Sequence, residues 1–376
     1  MVFNADGTVT NTGVFNDIVA NSFNPSGNVV TFNNNVGGVF NAFGGTIDLN
    51  TGTFTNAGTL NLGAASTVGT QTSLTGDYTQ SSTGVLKLCT NWGTAASDNL
   101  AVSGTADLNR RLAPTFTNVT GGNLTQTFTV LSPGTLNPIG MTVANTAAVT
   151  NSVAANGNNV ELTSTINFLC AGTQVTGNAA TMARTINAMF TGGASLPFVT
   201  GLLNVSTTGE YVRALQSLGP VAVARGATST LTTSSTFANQ LLSCRAPGEG
   251  DAYAVIREGQ CAWARVTGRR GETGANYAGP GVSSSSFMIS TGAQFNLGGP
   301  WRAGGGIAYE EANSSNAIAR SDARRVHLGV VVKCNPGPWL FALGLNGGFG
   351  SSDNTRFASF GGFNGTARSS NDTENM

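Results

Sequence analysis

The sequence predicts an all-β protein in which a right-handed parallel β-helix is followed by a short helical segment and by antiparallel, membrane-spanning strands. A short phrase of glycine, threonine and alternating apolar residues recurs through the first part of the chain. The middle has apolar residues at helical spacing, and the last third alternates between apolar and small or polar residues. The predicted regions are residues 1–166, 167–245 and 246–376.

The composition favours strands and turns. Charged residues make up 10% of the 376 residues, against roughly 25% in an ordinary soluble protein, and 51 residues are glycine. Threonine, asparagine, serine and valine are abundant, and these residues suit pleated strands and tight turns. The formal net charge is zero, so neither nucleic acid nor an anionic surface is an expected partner.

Residues 1–166 repeat one strand-and-turn phrase. Its clearest copies are Gly7-Thr8-Val9, Gly45-Thr46-Ile47, Gly52-Thr53-Phe54, Gly58-Thr59-Leu60 and Gly104-Thr105-Ala106. Loose repetition of such a unit is typical of a solenoid in which each coil buries its apolar face on the next. The alternative is disordered low-complexity sequence, which is also rich in polar residues and glycine. Against disorder stands a series of residues that could fill a narrow core, namely Ile47, Leu49, Phe54, Leu60, Leu62, Leu86, Leu88, Leu100 and Val102.

Residues 167–245 change to helical spacing. Three weakly amphipathic helices are predicted, the first behind a cap at Asn178 and the second after Gly209. Their apolar positions are Met182, Ile186 and Met189, then Tyr211, Val212, Leu215 and Leu218, and finally Phe237, Leu241 and Leu242. This segment is expected to link the two β regions.

Residues 246–376 contain alternating segments of about ten residues, the length that a tilted membrane-spanning strand needs. The predicted lipid-facing residues are Val326, Leu328, Val330, Val332, Trp339, Phe341, Leu343 and Leu345, and those predicted to face a wet interior are Arg265, Arg325, His327 and Lys333. Such alternation, with aromatic residues at the segment ends, indicates an antiparallel transmembrane β-barrel. A soluble β-sandwich is the alternative, although its inner faces are usually bulkier and its outer faces more charged.

Short motifs along the chain point to one family. The passage Leu74-Thr75-Gly76-Asp77-Tyr78-Thr79-Gln80 is similar to the last coils of a secreted passenger, and Ala262-Trp263-Ala264-Arg265-Val266-Thr267-Gly268 is similar to a first barrel strand. Gly299-Pro300-Trp301 and Gly337-Pro338-Trp339 are similar to periplasmic turns. Over nearly its whole length the chain resembles the classical autotransporters of the type V secretion pathway, from the C-terminal part of the passenger to the start of the outer-membrane β-barrel.

The resemblance implies a barrel in the bacterial outer membrane, a helical linker that threads it, and a passenger at the cell surface or released outside. The implied partners are outer-membrane lipid, the barrel-assembly machinery and surface or host ligands of an adhesin-like passenger. Nucleic acid is not among them.

Both ends depart from the family plan. Residues 1–4 lack the basic and apolar regions of a signal peptide, and no run of about 18 apolar residues suggests a transmembrane helix. About five barrel strands are predicted where the resemblance implies about twelve. The tail from Ser370 to Met376 is polar, whereas the family ends in an amphipathic strand. We therefore expect a fragment whose barrel is truncated and incomplete.

Catalysis is not expected. The single histidine, His327, lies on a predicted barrel strand, so the passenger has no histidine to activate a serine or cysteine. The passenger aspartates are spread singly and are interpreted as turn residues and caps: Asp6, Asp17, Asp48, Asp77, Asp98 and Asp107. None of the five cysteines has C-x-x-C spacing. We predict no catalytic residue, cofactor or metal site, and the alternative is that the chain carries a hydrolase encoded upstream.

Cys244 and Cys261 lie on either side of the segment that precedes the first barrel strand. An oxidising periplasm would let them pair and tie the linker to the barrel. Two free thiols are the alternative, because the sequence does not give the geometry that a disulfide requires.

Overall fold

A computed structural model describes residues 4–17, 25–63, 67–169, 175–219, 232–244, 259–274, 281–337 and 339–375. The chain divides into two compact units. The first unit comprises Met1–Leu215 with Phe360–Phe363, and the second comprises Gln216–Ser359 with Asn364–Met376.

The first unit contains thirteen strands joined in one sheet network. They are β1 (Gly7–Asn11), β2 (Val14–Asp17), β3 (Val30–Asn34), β4 (Val39–Ala42), β5 (Thr46–Asn56), β6 (Thr59–Asn61), β7 (Gln71–Gln80), β8 (Val85–Asn91), β9 (Ala96–Ser97), β10 (Asn99–Thr117), β11 (Thr125–Val143), β12 (Val149–Asn156) and β13 (Asn159–Ile166). Two parallel rows, β1-β3-β5-β7 and β2-β4-β6-β8, meet at β10, which pairs with both β7 and β8. The result is a β-solenoid of about five turns, so the parallel β-helix prediction is confirmed and the disordered alternative is wrong.

Side chains that point inward at alternate strand positions fill the narrow space between the two rows of strands. All nine predicted core residues from Ile47 to Val102 are buried, with at most 3% exposure. Aromatic rings stack from coil to coil, with centroid distances of 5.0 Å between Phe15 and Phe40 and 4.9 Å between Phe32 and Phe54. Rings from the two rows also meet edge to face, as Phe40 and Phe54 do at 5.2 Å. Aromatic pairs of this geometry add to the stabilisation gained from burying their area.

A column of buried amides runs along one corner of the solenoid. Asn11 donates through Nδ2 to Oδ1 of Asn34, and Asn34 donates in the same way to Asn56, both at 2.8 Å. Each amide also donates to a backbone carbonyl, Asn11 to Val39 at 3.1 Å and Asn34 to Thr59 at 3.0 Å. These buried polar groups are therefore satisfied, and they fix the register of successive coils.

Glycines allow the backbones of neighbouring coils to approach closely. A Cβ atom at Gly58 would collide with the carbonyl oxygens of Gly38 and Asn35, whereas one at Gly13 would meet nothing within 4 Å. Three glycines of the sequence phrase, Gly52, Gly58 and Gly104, thus mark close contacts between coils.

Replacing Gly58 by alanine is expected to destabilise the solenoid by about 2–3 kcal/mol, because overpacking against backbone atoms cannot be relieved by a side-chain movement. Faster hydrogen exchange in β4 and β6 would report the loss. Gly13→Ala is the matched control and should leave exchange unchanged or slightly slower. Equal exchange in both variants would contradict the role of Gly58.

The end of the solenoid changes from parallel to antiparallel pairing. β11 pairs in parallel with β10 and antiparallel with β13, which pairs in turn with β12. Trp92 is buried here, 5.9 Å from the ring of Phe116 and 6.1 Å from that of Phe128. The open end of the core is therefore closed by large aromatic side chains.

Three helices follow, α1 (Gly177–Thr191), α2 (Val199–Leu203) and α3 (Thr208–Leu218). The predicted first two helices correspond to α1 and α3, and α2 was not predicted. The buried side of α1 includes Ile186 and Phe190, while Met189 is 45% exposed, so its predicted apolar face was wrong by a fraction of a turn. Asn204, at the end of α2, accepts a hydrogen bond from the backbone N–H of Phe116 at 3.0 Å and donates one to the carbonyl oxygen of Phe116 at 2.9 Å. The region predicted as a linker from residue 167 therefore contributes α1, α2 and most of α3 to the solenoid unit.

The second unit contains one antiparallel sheet in the order β14-β15-β16-β17-β18-β19. The strands are β14 (Cys261–Thr273), β15 (Val282–Gly298), β16 (Trp301–Ser315), β17 (Ala319–Cys334), β18 (Phe341–Phe360) and β19 (Phe363–Asn375). A helix, α4, covers residues 232–241 and matches the third predicted helix. The expectation of about five strands was wrong, because β19 contains a single large apolar residue and gives no hydrophobic alternation. The strands of 13–20 residues are also longer than predicted, since polar ends continue the pairing.

Within the described ranges, no helix has both the length and the apolar character needed to cross a membrane.

Candidate functional site

The six-stranded sheet has an apolar outer face. Seven of the eight predicted lipid-facing residues lie on it, from Val326 at 38% exposure to Leu343 at 72%, and the eighth, Trp339, is exposed just before β18. Aromatic residues stand at both ends of the apolar stretch in β16, where Trp301 and Tyr309 are 50% and 42% exposed. Bands of this kind, apolar in the middle and aromatic at the edges, are typical of strands that face lipid.

The opposite, inner face carries the buried charges. Arg325, His327 and Lys333 are at most 3% exposed. Arg265 shares the side of β14 that carries Trp263 and Thr267, but its side chain is exposed. Three of the four predicted interior residues are thus buried on the inner face. Arg325 and His327 both contact Glu310, Lys333 lies further along β17, and Arg265 is exposed.

Glu310 is the centre of an inner-face cluster with Arg325 and His327, although no role was predicted for it from the sequence. Its Oε2 atom lies 3.4 Å from Nη1 of Arg325 and 3.2 Å from Nε2 of His327, and Thr233 of α4 donates to Oε1 at 2.7 Å. The Glu310 carboxylate is fully buried. Only the pairing register of β16 and β17 would have identified it, because this register places Glu310 directly opposite Arg325.

Polar contacts hold α4 to strands across the inner face. Asn346 of β18 donates to Oγ of Ser234 at 2.7 Å, and Ser290 of β15 donates to Oε1 of Gln240 at 2.6 Å. Beyond the helix, Lys333 of β17 donates to the carbonyl oxygen of Leu242 at 3.0 Å. With the Thr233 bond to β16 and the Gln240 bond to Thr267 of β14, the helix and the residue after it are bonded to five neighbouring strands.

The same helix packs against apolar side chains and against glycines of the sheet. Phe237 and Leu241 are buried against Met288, Ala308 and Val331, with Trp263 beside them. A Cβ atom at Gly329 would meet Phe237 and Leu241, and one at Gly306 would meet Leu241 at 3.0 Å. The small inner-face residues predicted from the sequence therefore leave space for α4 to pack against the sheet.

A disulfide joins Cys244 to Cys261, with 6.0 Å between their Cα atoms. It links the chain just after α4 to the first residue of β14. Cys89 and Cys334 are free, and Cys170 lies outside the described residues. Burial, and then the charge of Asp98, raise the pKa of the Cys89 thiol to about 11, so it stays protonated at neutral pH and is a poor nucleophile.

The passenger aspartates mostly cap backbone N–H groups. Asp6 accepts from Val29 at 2.7 Å, Asp48 from Asn50 at 2.9 Å and Asp77 from Thr105 at 2.7 Å. Asp98 accepts from Cys89 at 2.8 Å. This use agrees with the interpretation of these residues as turn and cap residues. Among the residues with described positions, no group of three His, Cys, Asp or Glu side chains could hold a metal ion.

The outward side of the solenoid carries a second ordered feature. A column of hydrogen-bonding side chains crosses six strands in register, through Thr10, Asn33, Thr55, Thr79, Asp107 and Asn137. Neighbouring members lie one strand spacing apart, about 4.8 Å. Asn137 donates to Asp107 at 2.9 Å. We call this set the polar column, and none of its members is fully buried.

Comparison with known proteins supports one family. Residues 262–376 match the family described as the autotransporter β-domain. No curated protein matches the chain. The match covers the described part of the six-stranded sheet almost completely, and the β-solenoid precedes it in the chain.

Proposed function

We propose that the chain is an autotransporter that serves secretion and anchoring, with its β-domain in the outer membrane and a β-solenoid passenger at the cell surface. From this premise we propose that α4 keeps the exported passenger attached to the membrane sheet. We further propose that the passenger is an adhesive stalk without catalytic activity. Outer-membrane lipid and the assembly machinery are the general partners of such a β-domain.

The contacts of α4 support its role as the attachment. The helix and the residue after it are bonded to five strands, and the helix buries two large apolar side chains against the inner face. A helix this short is only marginally stable alone in water, so its order depends on these contacts. The passenger is covalently continuous with α4, and a docked α4 therefore holds the passenger at the membrane.

The polar column is the observation that carries the adhesive proposal. Its hydroxyl, amide and carboxylate groups repeat at every coil, and each offers donors or acceptors to an extended ligand. Individual hydrogen bonds contribute only about 0.5–1.5 kcal/mol, so binding would depend on many aligned contacts. The aspartate caps and the protonated Cys89 support the absence of catalysis in the described passenger residues. No described residue favours the hydrolase alternative.

The adhesive proposal is tested with bacteria that display the chain, by counting cells retained on immobilised polysaccharides and on cultured epithelial cells. Thr79→Lys places a charged side chain in the middle of the polar column and is expected to reduce retention about tenfold. Thr115→Lys, at an exposed position on the second half of β10, is the matched control and should bind like the unaltered chain. Equal retention by Thr79→Lys and the unaltered chain would refute a role for the polar column.

A further inference from the structure

The disulfide occupies a position where it can control α4. Cys244 lies three residues beyond the helix and is 2% exposed, and Cys261 opens the edge strand β14. The bridge therefore ties the C-terminal end of α4 to the sheet on which the helix lies. It closes a sequence separation of 17 residues.

The noncovalent contacts of α4 lie at both ends of the helix. Near its beginning, Thr233 bonds the buried Glu310 carboxylate, and Arg269 reaches the hydroxyl of Thr236. Near its end, Gln240 bonds Ser290 and Thr267, the Leu241 side chain is buried, and Lys333 donates to the Leu242 carbonyl. The end of α4 is thus held by these noncovalent contacts and by the covalent bridge.

We infer that the Cys244–Cys261 bridge is a redox-controlled latch that keeps α4 docked on the inner face. The latch deepens the proposed function and rests on it, because α4 is there assigned the task of retaining the passenger. With the bridge closed, the end of the helix cannot leave the sheet. With the bridge open, α4 is held by the noncovalent contacts alone.

Closing the latch is a two-electron oxidation by a disulfide-bearing oxidant. One cysteine thiolate attacks a sulfur of that oxidant, forming a mixed disulfide and releasing the first thiol. The second cysteine thiolate then attacks its partner's sulfur in the mixed disulfide, forming the Cys244–Cys261 bond and releasing the second thiol. Each cysteine gives up one proton, and the oxidant leaves as two thiols. A dithiol reductant reverses the sequence, and the oxidising periplasm favours the closed form.

The test measures amide hydrogen exchange of residues 232–241 in the full chain, reconstituted in vesicles of phosphatidylethanolamine and phosphatidylglycerol. Oxidised protein, protein reduced with a phosphine, and the Cys244→Ser/Cys261→Ser variant are compared. Closing a loop of this length changes an equilibrium by about ten- to hundredfold, so exchange in α4 should be faster by that factor after reduction. The serine variant should exchange at the reduced rate with or without the phosphine.

Exchange in β16 and β17 is the internal control and should stay the same in all three samples. Equal exchange of α4 in oxidised and reduced protein would overturn the latch. A general acceleration that includes β16 and β17 would also overturn it, because the bridge would then stabilise the whole sheet. Failure of the latch is distinguishable from failure of α4 as the attachment: slow exchange of α4 that does not respond to reduction would leave the helix docked without the bridge, whereas fast exchange of α4 even in the oxidised protein would show that the helix is not docked.

Discussion

Replacing Glu310 by alanine is expected to free α4 and to destabilise the second unit by about 3–5 kcal/mol. The carboxylate is fully buried and interacts with Arg325, His327 and Thr233. Its removal leaves the Arg325 guanidinium buried with its anionic partner gone, which costs far more than the loss of an exposed ion pair. The free energy of unfolding would be measured by urea titration in detergent micelles, with tryptophan fluorescence as the signal.

Glu311 provides the matched control, because it follows Glu310 on the same strand but lies on the outer face with its side chain 51% exposed. Glu311→Ala should change the unfolding free energy by less than about 0.5 kcal/mol. Glu310→Gln retains an oxygen that can accept from Thr233 and should cost less than Glu310→Ala. Similar stabilities for Glu310→Ala and Glu311→Ala would show that the buried cluster does not hold the helix.

Replacing Leu345 by arginine is expected to block insertion of the sheet into the membrane. Leu345 is 69% exposed in the middle of the outer apolar stretch of β18, between Phe341 and Phe349. A charged residue on the lipid face near the bilayer centre costs about 2–4 kcal/mol in a transmembrane β-barrel. A loss of this size should sharply reduce the amount of chain recovered with outer membranes and the heat-modifiable band on gels.

Asp353→Arg is the control for this substitution, because Asp353 is exposed further along β18 on the same face. Membrane recovery of this variant should match the unaltered chain. If Leu345→Arg assembled as well as Asp353→Arg, the outer face would have to meet water or protein instead of lipid. That result would favour the alternative of a soluble β-sandwich.

The two faces of the sheet could be read from the sequence, because strand alternation depends only on local order. Val326, Leu328, Val330 and Val332 share one side whatever their neighbours are. The role of Glu310 could not be read in this way, because it depends on the register that places β16 against β17. A one-residue shift of that register would remove the carboxylate from Arg325.

The solenoid shows the same division between local and long-range information. Its apolar alternation predicted the core, while Asn11, Asn34 and Asn56 resembled ordinary turn residues in the sequence. Their spacings of 23 and 22 residues are nearly equal, but many other asparagines occur in the same region, so the column could not be identified before the coils were aligned. β19 was missed for a related reason, since it follows its neighbour through pairing and has little apolar pattern of its own.

The buried asparagines also give the stack a polarity. Each amide nitrogen points to an oxygen in the coil that comes later in the chain, from Asn11 to Asn34 and from Asn34 to Asn56. If a coil formed before its successor, the amide N–H of its buried asparagine would have no acceptor, which is costly in a dry core. Growth should therefore start at the C-terminal end and add coils backwards, so that each finished turn serves as the template for the turn encoded before it.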